Sequence, residues 1–374
     1  MSETLLEYYR KYSISTEHGV DAEWDKHLAR RKKLYRHLGI PIITLKGCSI
    51  LEIGPGEGHN ALPFLKEWGA VHVDLIEPNE IARKELEAKF ELNNIPKSRY
   101  TVYKDTLQEY MSDKKYDIVI AEAFFHNAED WRDSLVLLKK YTHKDSIVIV
   151  TCSDEISFYI ETMKRAVLQY FVKDVSMHEE KVQILKDIIQ PQLAMLKGMS
   201  RATEDWIEDM IFFPYSSEFM DMKKAIDAYS DEFDILGASQ SIFTDYSWYK
   251  DFEYDYVSDY KNQYEQKKHM FMLAGDNYEI KRTIEENMEL EEAVVNANKI
   301  AKRTEEGYGQ ITDLIPAVRN VSKHVINSVI CEFNEELIKI IEILDARKEI
   351  NWTTYKTFMK CFGKTMQYIS FAKK

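Results

Sequence analysis

Short apolar segments alternate with helix-like segments in the first half of this chain, and this alternation limits the possible folds more than any other feature. Five such segments lie within residues 46–154, at 49–53, 71–76, 100–103, 117–121 and 146–151. Continuous apolar runs of this length are typical of strands that are buried on both faces. Strands separated by helices form parallel, doubly wound sheets. We therefore expect residues 46–154 to fold as an α/β core.

Two later apolar segments, 233–237 and 269–274, complete the predicted sheet as strands six and seven within residues 232–280. Residues 155–231, between strands five and six, are helical in pattern and far longer than an ordinary connection. We predict that they form a helical lid inserted into the core. The expected fold class is α/β, a doubly wound and mostly parallel sheet of seven strands.

Helical patterns also precede and follow the predicted sheet. Residues 1–45 predict a helical cap, and residues 281–374 predict a helical hairpin or bundle. Between Val325 and Leu344, apolar residues recur at three- and four-residue steps. This stripe must be covered, either by apolar residues of the preceding helix, such as Val294 and Ile300, or by a second copy in a homodimer.

A glycine-rich loop follows the first predicted strand. The strand ends in Leu51-Glu52-Ile53, and the loop reads Gly54-Pro55-Gly56-Glu57-Gly58. Glycines at such a place let backbone amides approach a ligand that a side chain would block. A tight structural turn would need glycines as well. The position after the first strand of an α/β core favours the ligand site.

Acidic residues follow the next two predicted strands. Glu77 ends strand two, 21 residues after Gly56, and a carboxylate there can accept both hydroxyls of a ribose. Asp105 ends strand three, where a carboxylate can accept from the amino group of adenine. The alternatives are that Glu77 is a charge at a helix N-terminus and that Asp105, with Thr106, caps a helix.

These three segments together resemble the cofactor motifs of the class I, Rossmann-like, S-adenosylmethionine-dependent methyltransferases. They are Ile50-Leu51-Glu52-Ile53-Gly54-Pro55-Gly56-Glu57-Gly58, Leu75-Ile76-Glu77-Pro78-Asn79 and Tyr103-Lys104-Asp105. The resemblance implies a transferase that binds S-adenosyl-L-methionine through Glu52, Gly54, Gly56, Gly58, Glu77 and Asp105. In that family the loop faces the amino-acid half of the cofactor. Nicotinamide-dependent oxidoreductases more often space the third glycine one residue later, where this chain has His59.

Polar residues follow the fourth predicted strand, where the resembling family places the transferred methyl group. Glu122, His126 and Asn127 are therefore candidates to contact the cofactor or the acceptor. We assign Glu122 to the cofactor and Asn127 to the acceptor. His126 is the candidate general base, because a neutral imidazole accepts a proton near pH 7. A surface or helix-capping histidine is an equal alternative.

Aromatic residues in the lid and after strand six are the candidate acceptor site. They are Trp206, Tyr246, Trp248 and Tyr249. Rings among hydrogen-bonding groups suit a sugar, so O-methylation of a sugar or sugar nucleotide is the leading hypothesis. The alternative is that these rings only join the insertion to the core.

Composition narrows the classes of partner. The net charge is −13, and the one basic run, Arg30-Arg31-Lys32-Lys33, is predicted to be a solvated helix face, which argues against nucleic acid. No apolar run is long enough to span a membrane, and we expect no signal peptide at the start of the chain. The four cysteines do not have the spacing of metal ligands. We expect a cytoplasmic enzyme with a small-molecule acceptor and no metal. The alternatives are a methyltransferase of proteins or nucleic acids and a scaffold that keeps the fold without catalysis.

Overall fold

The computed structural model describes residues 5–12, 14, 24–125, 131–194, 202–213, 218–244, 246, 248–251, 256–275 and 281–374. Its strands form one sheet in the order β3-β2-β1-β4-β5-β7-β6. In chain order the strands are β1 Ser49–Ile53, β2 His72–Ile76, β3 Tyr100–Tyr103, β4 Tyr116–Ala121, β5 Thr142–Cys152, β6 Phe233–Ala238 and β7 Gln367–Lys373. The first five are parallel to one another, and β7 is antiparallel to both of its neighbours. The predicted fold class, a mostly parallel α/β sheet, is confirmed.

Helices connect and follow these strands. In chain order they are α1 Leu5–Tyr12, α2 Trp24–His37, α3 Leu62–Lys66, α4 Glu80–Leu92, α5 Trp131–Lys140, α6 Glu155–Phe171, α7 His178–Leu193, α8 Thr203–Ile207, α9 Met222–Tyr229, α10 Tyr256–Lys267, α11 Ile284–Glu305, α12 Leu314–His324, α13 Ser328–Asp345 and α14 Lys356–Lys360. Across the described ranges, none of them is both long and apolar enough to cross a membrane.

The prediction of the seventh strand is wrong. Residues 269–274 do not form a strand; Lys268–Phe271 is a 3-10 helix, and Met272 and Leu273 are buried in a helical core. The run is apolar without alternation, a pattern that buried helical turns and buried strands share. The seventh strand is β7, near the C-terminus, where Ile369 and Phe371 point to the core at a spacing of two.

The chain divides into two compact units, each made of segments that are separate in the sequence. Unit 1 comprises Met1–Ser153, Tyr215–Tyr264 and Met366–Lys374, and unit 2 comprises Asp154–Pro214 and Glu265–Thr365. Unit 1 contains the whole sheet. Unit 2 contains the larger part of the segment predicted as a lid together with most of the C-terminal segment.

Unit 2 is a helical body whose core contains the predicted stripe. Ile330, Phe333, Leu337, Ile340 and Ile341 of α13 are at most 1% exposed, in a cluster with residues of α6, α11 and α12. The cover includes Val294, as predicted, and Ile300 packs against its edge. The chain itself thus covers most of the stripe, while Ile326 and Val329 at its start are exposed; the homodimer stays a prediction.

Candidate active site

The glycine loop continues from β1 at the carboxyl edge of the sheet. Gly54 donates its backbone N–H to the carbonyl of Ile76 at 2.9 Å, which fixes the loop to the end of β2. Its φ is +65°, in the left-handed region that favours glycine. Among the described residues, a Cβ on Gly54 would meet Phe124 alone, at 3.8 Å. The backbone, not crowding, therefore requires glycine here.

Gly58 closes the loop by a close approach to α4. Its φ is +76°, and a Cβ there would lie 2.8 Å from Cγ of Leu86 and 3.1 Å from Phe90. No real Cβ tolerates the first distance, so only glycine lets the loop pack against α4. The third glycine thus serves the packing of the loop, while the first two shape its surface.

Glu77 lies under this loop, directly after β2. Its two carboxylate oxygens accept backbone N–H groups from Gly56 and Asn79, each at 2.9 Å. Burial raises the pKa of Glu77, and these two N–H donors oppose that effect. A carboxylate offers about four lone-pair sites, so Glu77 can still accept hydroxyl groups of a ligand. The structure brings this predicted residue to the loop.

Asp105 lies half-buried two residues after β3. The alternative of a helix cap is wrong, because residues 104–115, all of them described, contain no α-helix. Thr106 instead pairs with Glu109 to close a turn. Asp105 therefore lies just beyond the end of β3, and its adenine role stays a prediction.

Glu122, directly after β4, is the centre of a buried polar network. Both of its oxygens accept from the guanidinium of Arg31 on α2, at 2.9 and 2.7 Å. Asn60, just beyond the glycine loop, donates to the same carboxylate at 2.9 Å. The next residue, Ala123, has a φ of +51° and donates its N–H to Thr151. Such strained backbone is concentrated at functional sites.

Glu52, on β1, shares a face of the sheet with Glu122, since Glu52 pairs with Ile120 and side chains two residues apart share a face. It is 2% exposed, and its Oε2 has no hydrogen-bond partner among the described residues. Burial, with the negative charge of Glu122 next, raises the pKa of Glu52 to about 8. An unpartnered buried oxygen at this edge fits a ligand that brings an N–H donor.

The remaining predicted residues are in different surroundings. His126 and Asn127 lie outside the described residues. Trp206 packs in the core of unit 2, with its ring centre 6.1 Å from that of Phe362. Tyr246, Trp248 and Tyr249 are exposed, at 95%, 58% and 66%.

Two members of the Glu122 network escaped the sequence analysis. The prediction of a solvated face at residues 30–33 is wrong for Arg31, which is 5% exposed. Arg31 lies between Leu28 and Tyr35 on the buried face of α2, and that helical spacing was the available signal. Asn60 had no comparable signal.

Comparisons with known proteins agree with this geometry. The sequence profile of a family described as "Methyltransferase domain" matches residues 18–178. Residues 18–178 are a class I methyltransferase domain. S-adenosylmethionine is the cofactor of this domain. The unpartnered oxygen of Glu52 and the ribose-competent carboxylate of Glu77 fit the amino-acid half and the adenosine half of that cofactor.

Solved structures resemble the methyltransferase domain and its surroundings. One is a proposed sarcosine dimethylglycine methyltransferase from Galdieria sulphuraria, 12% identical, with 98% of this chain and 97% of that chain covered and a TM-score of 0.40. Another is an S-adenosylmethionine-dependent methyltransferase from Mesorhizobium loti, 17% identical, with 37% and 56% covered and a TM-score of 0.29. A third is a ribosomal protein L11 methylase from Lactobacillus delbrueckii subsp. bulgaricus, 24% identical, with 28% and 51% covered and a TM-score of 0.25. The chain thus spans about half the length of the last two. No curated protein matches it in sequence.

Proposed function

We propose that this chain methylates a small molecule with S-adenosylmethionine as the methyl donor, and that the acceptor is a sugar or sugar nucleotide methylated at oxygen. The observation that carries the proposal is the convergence of the Gly54–Gly58 loop, Glu77 and the Glu52–Glu122 pair at one edge of the sheet. In open parallel sheets the carboxyl ends of the strands line the ligand crevice.

The residues divide the cofactor between them. Glu77 accepts the ribose hydroxyls, and Asp105, one strand further out, accepts from the adenine amino group. The loop together with Glu52 and Glu122 holds the amino-acid half. When bound, the cofactor supplies an activated methyl group on its sulfonium, so the protein has chiefly to align the acceptor and remove its proton.

The acceptor hypothesis is supported by exposed rings on unit 1. Because β7 is antiparallel to both β5 and β6, β6 runs parallel to β5 and ends at the same edge as β1 and β4. Trp248 and Tyr249 follow β6, with ring centres 5.5 Å apart, and remain exposed. Exposed rings stack well on the apolar faces of sugars. The net charge of −13 weakens the case for a nucleic acid acceptor.

The test is a turnover assay with S-adenosylmethionine and separate panels of sugar nucleotides, small amines and peptides. Formation of S-adenosylhomocysteine is measured, and tandem mass spectrometry locates the methyl group in the product. We expect turnover with a sugar nucleotide and a methyl group on oxygen. Turnover confined to amines or peptides would contradict the acceptor assignment. Gly56→Arg, which fills the loop with a side chain, is the control for cofactor-dependent signal.

His126 is the proposed base for the hydroxyl proton. We expect His126→Ala to lower kcat by about 10²- to 10⁴-fold and to remove the fall of the rate at acidic pH. His143→Ala is the matched control, because His143 lies near the opposite end of β5 and pairs with Asp117. An unchanged pH–rate profile in His126→Ala would show that this residue is not the base.

A further inference from the structure

Arg31 connects helix α2 to the carboxyl edge of the sheet. Its guanidinium faces the carboxylate of Glu122 with two hydrogen bonds, and both side chains are about 6% exposed. Paired hydrogen bonds of this kind fix orientation as well as charge. Burial lowers the pKa of Arg31, but Glu122 outweighs that effect, so the guanidinium stays charged.

The charge of this network depends on the protonation of Glu52, whose pKa is raised to about 8. One guanidinium, that of Arg31, faces two carboxylates, Glu52 and Glu122, and the neighbouring rings are the phenols of Tyr35 and Tyr368. When both carboxylates are ionised, the network has one negative charge in excess. Glu52 Oε2 and Arg31 Nε are also buried without a hydrogen-bond partner among the described residues. The ammonium group of an amino acid is complementary to Glu52 Oε2, which accepts, and the carboxylate of an amino acid is complementary to the N–H of Arg31 Nε, which donates.

Helix α2 has anchors that do not depend on Arg31. Tyr35 is fully buried, and its ring packs edge-on against Phe64 and Trp68 at 5.9 and 5.4 Å. Just after the helix, Ser370 donates to the carbonyl of Leu38 at 2.7 Å. Substitution of Arg31 therefore removes the bonds to Glu122 and a 3.4 Å hydrogen bond to the hydroxyl of Tyr35, while the ring contacts of Tyr35 and the bond at Leu38 keep the helix attached to unit 1.

We propose that Arg31 is a positioning residue: its paired hydrogen bonds hold the carboxylate of Glu122 in one orientation, so that Glu122 accepts a hydrogen bond from the ammonium group of the cofactor's amino-acid half. The inference rests on the S-adenosylmethionine site described above. Without the guanidinium, the carboxylate of Glu122 loses the two hydrogen bonds that fix its orientation, and a carboxylate that turns away no longer accepts from the ammonium group.

The experiment compares two ligands rather than one affinity. S-adenosylhomocysteine has the ammonium group, and its deaminated analogue does not. We expect the unsubstituted chain to bind the first about 10- to 100-fold more tightly in calorimetric titration. In Arg31→Met that ratio should fall to within about threefold of unity, and in Arg31→Lys, which keeps the charge without the paired bonds, it should be intermediate. A merely structural role would weaken both ligands equally and leave the ratio unchanged.

Arg30→Met is the matched control, since Arg30 is the exposed neighbour on the same helix; its ratio should equal that of the unsubstituted chain. If Arg31→Met does not fold by circular dichroism, Arg31→Lys decides the question. If Arg31→Met folds and keeps the full affinity ratio, the inference is overturned. If Arg31→Met does not fold, a full ratio in Arg31→Lys overturns it. A ratio near unity in the unsubstituted chain also overturns it. If the unsubstituted chain binds neither ligand, the cofactor assignment itself fails.

Discussion

Glu52→Gln should stabilise unit 1 in the absence of cofactor, and the gain should grow with pH. The ordinary pKa of the carboxyl is 4.5, whereas burial and the charge of Glu122 raise the pKa of Glu52 to about 8 in the folded chain. Between these values the folded state keeps a proton that the unfolded state has lost. Stability therefore falls as pH rises through this window, and it levels off above pH 8. Glutamine has no such proton, so it avoids the loss.

The magnitude follows from the same two pKa values. Each pH unit inside the window changes the free energy of unfolding by about 1.4 kcal/mol. Between pH 5.5 and pH 7.5 the advantage of Glu52→Gln should grow by about 2–3 kcal/mol. The sign is opposite to that of the usual salt-bridged carboxylate, for which stability is lost as pH falls.

The assay is urea unfolding of both proteins at several pH values. Because the chain has two units, hydrogen exchange of peptides from residues 49–53 reports on unit 1 separately. Circular dichroism checks that both proteins have the same fold at each pH. A constant difference in stability across this pH range would refute the burial of an uncompensated carboxyl at Glu52.

Two further substitutions test the other parts of the site. Glu77→Gln should weaken the binding of S-adenosylmethionine by about 10- to 100-fold in calorimetric titration, because the amide replaces a charged acceptor of the ribose hydroxyls. Glu80→Gln is the control, since Glu80 is exposed on the following helix. Equal affinities in both variants would contradict the ribose role. Gly58→Ala should lower the free energy of unfolding by about 2–4 kcal/mol, from a left-handed φ together with the 2.8 Å approach to Leu86. Gly47→Ala is the control: its φ is +82°, but a Cβ there would meet no atom of the described residues beyond its chain neighbours within 4 Å, so only the backbone cost of about 1–2 kcal/mol remains. Equal losses in thermal unfolding would contradict the packing role of Gly58.

The first six strands were predictable because each is a short apolar run with turn residues beside it. Phe233–Ala238 was found in this way although it lies far from the others in sequence. The seventh strand was not, since the apolar run at 269–274 satisfies a helical core equally well, while β7 has serine, glutamine and lysine among its apolar positions. The local sequence pattern shows that a segment is buried, but it does not show whether a sheet or a helical core buries it.

The site shows the same division. Gly54, Gly58 and Glu77 were predictable because a loop and a strand end impose their residue types locally. Arg31 was not, because its environment depends on Glu122, 91 residues away in sequence. A basic residue inside a basic run is indistinguishable from its exposed neighbours until tertiary packing provides the partner.

The central claim is that the Gly54–Gly58 loop and Glu77 form the S-adenosylmethionine site. Titration calorimetry of the unsubstituted chain and of Gly56→Arg, with S-adenosylmethionine and with NAD⁺, tests it most directly. We predict binding of S-adenosylmethionine by the unsubstituted chain, none by Gly56→Arg with its helical circular dichroism retained, and no binding of NAD⁺ by either. Heat of binding with NAD⁺ alone, or undiminished S-adenosylmethionine binding in Gly56→Arg, would contradict it.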